Sequence, residues 1–224
     1  MDKTPTATVE DYLGVIYTLQ RDGEDVIGAR LAEILRVSAP TVTVTLKRMV
    51  RDGWIEIDER KHITLTKSGN DAAKSVLRRH MLTEWLLSRV LNIPLTELHE
   101  EAHKIEHTLS PLVEEQLITS LDDPDVCPHG NPLPGQEETS QHWLPLTQFD
   151  EGSMVIIRRM HELLEEDYEM MAKLDQSGIQ PGVIGKINSI DAEKNFFEMI
   201  INNQITRLSY QTAQKLFAEN APCN

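Results

Sequence analysis

The chain has 224 residues, of which 40% are hydrophobic and 5% aromatic, and its formal net charge is −14. This length allows two or three small domains, each with enough apolar residues for a core. No apolar run approaches the roughly 20 residues of a transmembrane helix, and the first residues lack the apolar stretch of a signal peptide. The sequence therefore predicts a cytoplasmic protein with no membrane partner. Its two cysteines, Cys127 and Cys223, also make a disulfide framework improbable.

The first third of the chain has the pattern of three helices followed by a β-hairpin. Apolar residues recur at helical spacing and then alternate, with turn residues such as Asp52-Gly53 between the segments. The predicted elements are helices over 8–21, 27–36 and 41–53 and strands over 54–57 and 62–66. This order is that of a winged helix-turn-helix, which we assign to residues 1–73.

The remainder reads as a helical middle and a small β-rich end. A Pro/Gly-rich connection is the clearest boundary in the chain. The predicted elements are a long helix after Lys67-Ser68-Gly69, helices over 96–110, 111–121 and 162–174, and strands over 154–160, 182–190, 195–201 and 204–208. We assign 74–125 to a helical domain, 126–145 to the connection and 146–224 to an SH3-like β-barrel domain. The predicted fold class is mainly α with small β elements.

The third predicted helix has the features of a helix that reads DNA. Ser38 can cap its first turn, where Pro40 fits because a missing N–H costs little there. Thr41, Thr43 and Thr45 are small and polar, which suits contacts with base edges and the thymine methyl group. The sequence therefore predicts that this helix enters the major groove of double-stranded DNA.

Local charge supports a DNA partner although the whole chain is acidic. Residues 30–79 contain eleven Lys/Arg and six Asp/Glu, a balance of +5. Phosphate binding requires a basic face rather than a basic chain. The predicted DNA-binding residues are Arg30, Ser38, Pro40, Thr41, Thr43, Lys47, Arg48, Arg51, Arg60 and Lys61. The alternative interpretation is a solvated basic helix in an ordinary helical domain.

The densest set of metal-ligand residues lies between His99 and His107. On a helix, His99, His103, Glu106 and His107 fall within roughly 100° of one face. His80 and Glu84 form a second pair at i, i+4 spacing. Imidazole and carboxylate ligands suit divalent Fe, Mn, Zn, Co and Ni. The alternative is an exposed helix of mixed charge with incidental histidines.

The same segment contains a different motif, which keeps a second function class open. His99-Glu100-x-x-His103 matches the H-E-x-x-H string of zinc peptidases, where both histidines bind zinc and the glutamate acts as general base. A five-residue string with two free positions is a weak signal. We therefore keep a zinc metallopeptidase, and also a metal-independent winged-helix regulator, as alternatives.

Together these blocks resemble the diphtheria-toxin-repressor family of iron- and manganese-dependent transcriptional regulators. Three blocks carry the resemblance, over 10–17, 38–42 and 79–107, and a fourth, 130–135, is similar to the connection in iron-type members. The resemblance implies a primary metal site and an ancillary one in each subunit. The primary site would contain Asp11, His103, Glu106 and His107, and the ancillary site His80, Glu84, His99, Glu166 and Glu169.

The sequence departs from the iron-type branch of that family at two ligand positions and from the manganese-type branch at one of them. Iron-type members have methionine and cysteine where Asp11 and His103 stand, and manganese-type members have aspartate and glutamate. We therefore expect Mn(II) or Fe(II) without choosing between them. The family resemblance implies a non-enzymatic homodimeric repressor of metal-uptake genes that binds a near-palindromic operator. The dimer contact is expected around Trp85, Leu86 and Leu112.

Overall fold

The computed structural model describes residues 4–222, which form two compact units. Within the described residues, one unit consists of 4–79 with 106–108, and the other of 80–105 with 109–222. The helices are α1 (Ala7–Arg21), α2 (Gly28–Ile34), α3 (Ala39–Asp52), α4 (Lys67–Leu91), α5 (Leu95–Ile105), α6 (Pro111–Ser120), α7 (Glu162–Glu165), α8 (Tyr168–Gln176) and α9 (Tyr210–Ala213). The strands are β1 (Ile55–Ile57), β2 (Ile63–Leu65), β3 (Leu144–Pro145), β4 (Met154–Met160), β5 (Ile184–Asp191), β6 (Phe196–Ile201), β7 (Gln204–Leu208) and β8 (Leu216–Asn220).

The first unit is a winged helix. The side chain of Ser38 accepts a hydrogen bond from the Thr41 backbone N–H and so caps α3. Gly53 ends α3 with a φ of 83°, a left-handed conformation that favours glycine. The chain then enters the antiparallel pair β1–β2, in which Ile57 faces Ile63. Buried Trp54 and Ile55 anchor this hairpin, which is the wing.

The helical part of the second unit has two small apolar clusters. Leu87 of α4 packs with Leu98 and Ala102 of α5. Earlier on α4, Met81 and Leu82 pack with Leu117 of α6 in a cluster that also contains Cys127 and Leu133 of the connection. The connection is therefore packed against the helices and is not a free linker.

The C-terminal part of the second unit is a six-stranded antiparallel sheet with strand order β3-β8-β4-β5-β6-β7. Its core includes Phe197 and Met199 of β6 with Ile157 of β4, all fully buried. The fold class predicted from the sequence, mainly α with a winged helix and a small β-rich C-terminal part, is confirmed. Within 4–222, no helix is both long and apolar enough to cross a membrane.

Two predicted helices differ from the structure. The helix expected over 96–110 ends at Ile105 and continues as a 3-10 turn, Glu106–Thr108. The helix expected over 162–174 is two helices, because Asp167 accepts a hydrogen bond from Met170 N–H and caps a new one. The prediction also missed strands β3 and β8.

Candidate metal centres and DNA-reading surface

The first unit brings Asp11 of α1 together with the 3-10 turn Glu106–Thr108. His107 Nε2 lies 3.0 Å from Asp11 Oδ1 and 3.4 Å from Glu106 Oε1. Glu106 is buried, whereas Asp11 and His107 are partly exposed. Two carboxylates around one imidazole are a ligand set that suits Mn(II), Fe(II) or Zn(II). We call Asp11, Glu106 and His107 the first centre.

A hydrogen-bonded frame holds the first centre. Glu10 Oε2 accepts from His107 Nδ1 at 2.7 Å, which leaves Nε2 directed toward Asp11. Arg79 donates to Glu10 Oε1 at 2.7 Å and to the Glu106 carbonyl at 2.9 Å. A carboxylate behind a ligating histidine fixes the ring orientation and raises its basicity. Sequence reasoning missed this role of Glu10 and Arg79.

His103 was expected to belong to the same site. It is exposed near the end of α5, three residues before Glu106. The α-helix ends at Ile105 and a 3-10 turn carries Glu106 and His107, so the segment 99–107 is not one continuous α-helix. The membership of His103 in the first centre stays a prediction.

The second unit brings together residues from α4, α5 and α7. One ligand atom from each of His80, Glu84, His99 and Glu165 lies within 4.8 Å of the others. His80 Nε2 lies 3.1 Å from His99 Nδ1, and His99 Nδ1 lies 3.2 Å from Glu165 Oε2. The i, i+4 spacing places His80 Nε2 3.5 Å from Glu84 Oε1.

The connection adds two residues that sequence reasoning did not assign. Glu84, Cys127 and His129 also form a group with ligand atoms within 4.8 Å of one another. His129 Nδ1 lies 3.0 Å from Glu84 Oε1 and 3.4 Å from Glu165 Oε2. The signal was available as Cys127-x-His129, which places two donor side chains in a turn. We call the combined set His80, Glu84, His99, Cys127, His129 and Glu165 the second centre.

The second centre strongly perturbs the pKa values of its members. Burial alone would lower the pKa of the His99 imidazole, but Glu165 and Glu166 raise it well above 6.5. Burial would also lower the pKa of the His129 imidazole, but Glu165 and Glu84 raise it to about 9. Burial would raise the pKa of Glu84, but His129 and His80 hold it well below 4.5. The charged carboxylate is thus favoured inside the protein.

The pKa of Cys127 completes this electrostatic description. Burial raises the pKa of the thiol well above 9.0, and the Glu84 and Glu165 carboxylates raise it further. A thiolate there requires a positive charge beside it, because it would otherwise face two carboxylates in a dry interior.

A divalent metal fits the second centre. Within residues 4–222, neither Glu84 oxygen accepts a hydrogen bond of acceptable geometry, although both oxygens are buried. A fully buried carboxylate whose oxygens face imidazole nitrogens and a thiol has the arrangement of a metal ligand.

The two other predicted ancillary ligands lie near or beside this centre. Glu166 Oε1 is 3.2 Å from His99 Nε2, on the outer side of the ring, and its side chain is 44% exposed. Glu169 is exposed on α8 and does not belong to either group of ligand atoms in the second unit. The structure brings Glu165 into the centre instead.

The predicted DNA-binding residues lie along α3, at its start and on the wing. Thr41, Thr43 and Lys47 are exposed, as are Arg60 and Lys61 between β1 and β2. Ser38 and Pro40 are exposed at the start of α3, and Arg48 is half-buried. Thr45 is buried, so the expectation that its hydroxyl faces a base is wrong.

Two of the predicted phosphate ligands already have acidic partners. Arg51 donates through Nε and Nη2 to Asp52, each at 3.0 Å. Arg30 lies 2.8 Å from Glu33 and 3.6 Å from Glu24. DNA contacts by these two arginines must compete with their ion pairs, which makes the exposed Lys47 and Lys61 the more readily available phosphate ligands.

Comparison with known proteins agrees with both parts of this description. Residues 5–63 match the sequence model "Iron dependent repressor, N-terminal DNA binding domain", and residues 66–135 match "Iron dependent repressor, metal binding and dimerisation domain". The chain belongs to the iron-dependent repressor family. The family resemblance predicted from the sequence is therefore confirmed.

Relatives of this repressor family cover most of the chain. The iron-dependent repressor IdeR of Mycobacterium leprae is 36% identical over 185 residues, which are 78% of this chain and 80% of that protein. The diphtheria toxin repressor of Corynebacterium efficiens is 34% identical over 184 residues, again 78% of this chain and 80% of that protein.

Solved structures extend the similarity to the C-terminal sheet. The manganese regulator SloR has a TM-score of 0.80 at 27% identity and covers 98% of this chain and 100% of its own. The structure of ScaR with bound Zn²⁺ has a TM-score of 0.80 at 28% identity, covering 97% of this chain and 100% of its own. The iron-dependent repressor fold thus includes the β-rich end of this chain.

Proposed function

We propose that the chain is a homodimeric transcriptional repressor that binds a near-palindromic operator when it carries Mn(II) or Fe(II), and that it controls metal-uptake genes. One observation carries the proposal. The turn Glu106–Thr108 belongs to the same compact unit as the winged helix, although more than 90 residues separate it from Asp11 along the chain. The first centre therefore forms part of the DNA-binding unit itself.

The first centre is the regulatory site in this proposal. A bound divalent ion would place positive charge beside the Asp11 and Glu106 carboxylates. Asp11, Glu106 and His107 would hold it, with His103 as a further ligand one turn before Glu106. Its binding free energy would fix α1 against the turn and favour one arrangement of the DNA-reading helix.

The second centre is the ancillary site. The His80, Glu84, His99 and Glu165 side chains join helices α4 and α5 to the start of α7, and Cys127 and His129 add the connection. The thiol makes this centre softer than the first one, which favours Zn(II), Co(II) or Fe(II) over Mn(II). Glu166 would support the outer side of His99, and the proposal gives Glu169 no role.

DNA contacts follow from the exposed residues of the winged helix. Thr41, Thr43 and the exposed start of α3 would face bases in the major groove, and Lys47 and Arg48 would reach phosphates. Arg60 and Lys61 at the wing, together with Arg30 and Arg51 after release from their acidic partners, would complete the phosphate contacts.

The homodimer is supported by the matched dimerisation domain and by exposed apolar side chains. Val90, Leu91 and Leu112 are 63%, 59% and 68% exposed. Trp85 is less available than the sequence suggested, because its indole N–H donates to the Val126 carbonyl within the second unit. We therefore place the contact at Val90, Leu91 and Leu112 rather than at Trp85 and Leu86.

The deciding experiment measures DNA affinity as a function of metal. A duplex selected from a random pool is titrated by fluorescence anisotropy with Mn(II), with Fe(II) under anaerobic conditions, and with a chelator. We expect metal to tighten binding at least about tenfold, a coupling of about 1.4 kcal/mol. Glu106→Ala and His107→Ala should abolish this gain. Equal binding in the chelator would contradict metal control and favour a metal-independent regulator.

Glu100→Ala is the matched control and also tests the peptidase alternative. Glu100 is exposed and lies 2.9 Å from Lys104 Nζ, whereas His99 contacts His80 and Glu165. We expect Glu100→Ala to leave the metal-dependent DNA affinity within about twofold. Peptide hydrolysis that disappears in Glu100→Ala would support a peptidase instead.

A further inference from the structure

Asn131 occupies the interior of the second unit and joins the connection to the end of β4. Its side chain is fully buried. The Nδ2 group donates to the Met160 carbonyl at 2.8 Å and to Glu165 Oε1 at 2.6 Å. The backbone of the same residue accepts from Cys127 N–H at 2.8 Å. One residue thus contacts two members of the second centre from different parts of the chain.

Arg159 determines which way the Asn131 amide points. Its Nε donates to Asn131 Oδ1 at 2.5 Å, and its other end donates to Glu162 at 3.0 Å. The guanidinium also stacks 4.7 Å from the centre of the Phe217 ring. Because an arginine can only donate, the amide oxygen must face Arg159 and the amide N–H groups must face Glu165 and Met160.

The hydrogen bond from the Asn131 amide gives the two carboxylate oxygens of Glu165 different partners. Oε1 accepts from Asn131, while Oε2 lies 3.2 Å from His99 Nδ1 and 3.4 Å from His129 Nδ1. With no donor on Oε1, the carboxylate could rotate and present either oxygen to the imidazoles.

We infer that Asn131, oriented by Arg159, is a positioning residue that holds Glu165 with Oε2 toward the second centre. This inference rests on the proposed ancillary metal site. A carboxylate fixed in advance loses less freedom when an ion binds, so the centre holds the ion more tightly than its ligands alone would. The same amide keeps the turn that carries Cys127 and His129 against the end of β4.

The test uses Co(II), because its visible and thiolate charge-transfer absorption reports directly on the ion in this centre. All titrations use the full chain with Glu106→Ala, which removes one of the two carboxylates of the first centre. We expect Asn131→Ala to weaken Co(II) binding about 10- to 100-fold. Asn131→Asp should also weaken it, since it keeps the size and the acceptor for Arg159 but loses the N–H donor toward Glu165.

The matched control is Asn188→Ala. Asn188 donates to the Glu198 carboxylate in the sheet, so this variant removes the same kind of hydrogen bond away from the centre. We expect it to change Co(II) affinity less than about twofold. Circular dichroism of each variant before the titration identifies any that do not fold, and in that case Asn131→Asp supplies the measurement.

A double-mutant cycle separates positioning from general stability. In a Glu165→Ala background, Asn131→Ala should weaken Co(II) binding much less, because the hydrogen bond to Glu165 is already missing and only the one to the Met160 carbonyl is lost. An equal loss in both backgrounds overturns the inference, and so does unchanged affinity in Asn131→Ala. If the chain with an intact second centre binds no Co(II) there, the ancillary site itself is overturned, and the inference with it.

Discussion

Glu10 is not among the metal ligands predicted from the sequence. The structure places its carboxylate directly behind one of those ligands, His107. It accepts hydrogen bonds from His107 Nδ1 and from Arg79, both at 2.7 Å. His107 therefore stands between two carboxylates, Glu10 on one nitrogen and Asp11 on the other. A sequence pattern cannot show such a frame, because α1 and the 106–108 turn are brought together only by folding.

The first prediction concerns this carboxylate. Glu10→Gln should lower the Mn(II) affinity of the first centre about tenfold, because a neutral amide supports the imidazole less well and Arg79 competes for its oxygen. Isothermal titration with Mn(II) measures the effect in a Glu84→Ala background, which removes the ligand shared by both groups of the second centre. Glu33→Gln, which alters an exposed ion pair with Arg30, is the control. Unchanged Mn(II) affinity would remove Glu10 from the frame.

The second prediction concerns the turn that carries Cys127 and His129. Gly130 has a φ of +87°, and a Cβ there would lie 1.9 Å from the Arg158 carbonyl oxygen. Gly130→Ala should therefore lower the free energy of unfolding by more than about 3 kcal/mol. Gly135 has a φ of +99°, but a Cβ added to it would meet no atom within 4 Å, so Gly135→Ala should cost only about 1 kcal/mol. Urea unfolding of both variants checks the difference, and equal losses would contradict it.

The elements were largely predictable from the sequence, whereas the contacts that end them were not. The spacing of apolar residues predicted α1, α3 and the wing. The helix expected over 96–110 ends early at a turn whose Glu106 carbonyl accepts a hydrogen bond from Arg79, 27 residues away. No local pattern contains that partner.

The residues of the candidate sites were likewise predicted only in part from the sequence. Spacing pointed to the ligand residues on α4, α5 and the 106–108 turn, because histidines and carboxylates are dense there. Cys127 and His129 were read as part of a connection, since Pro and Gly around them predict a turn and not a site. Glu165 was passed over for Glu166 and Glu169, because one residue of register on a short helix decides which carboxylate faces inward.

The third prediction belongs to α3. Lys47 is exposed, whereas Arg51 donates two hydrogen bonds to Asp52. Lys47→Ala should weaken DNA binding for all sequences and reduce the slope of log K against log salt by about 1. Arg51→Ala should change the slope less, because forming its phosphate contact requires breaking the pair with Asp52. Salt titrations of binding measure both slopes, and a larger change for Arg51→Ala would reverse the assignment.

At the scale of the whole molecule, the pH dependence of stability reflects buried and surface charge pairs together. The contribution of one ion pair, Arg158 with Glu219, can be measured separately. The hydrogen bond from Arg158, with its charge and that of His142, lowers the pKa of Glu219 below 4.5. A group with a lowered folded pKa stabilises the fold above its unfolded pKa and loses that contribution as pH falls.

The fourth prediction follows from this sign. The difference in unfolding free energy between the unaltered chain and Glu219→Gln should be present at pH 7 and should shrink as pH falls from 4.5 toward 3. Urea unfolding in the presence of a chelator measures it at each pH. Taking the difference removes the titration of the groups that do not interact with Glu219. A difference that grows as pH falls from 4.5 toward 3 would contradict the ion pair.

The burial of Glu84 and His129 in the second centre affects how fast a bound ion is released, and not only how tightly it is bound. Glu84 and His129 have no exposed side-chain surface, whereas 27% of the Asp11 side chain and 18% of the His107 side chain are exposed. The second centre is open to solvent at His99, whose side chain is 22% exposed, but an ion held by Glu84 and His129 needs a local opening of the chain and should leave more slowly than one held by Asp11 and His107. After a sudden drop in metal supply, the first centre should therefore empty quickly and set the response time of the repressor. The second centre should lose its ion more slowly than the first, so its occupancy should still reflect the earlier metal supply.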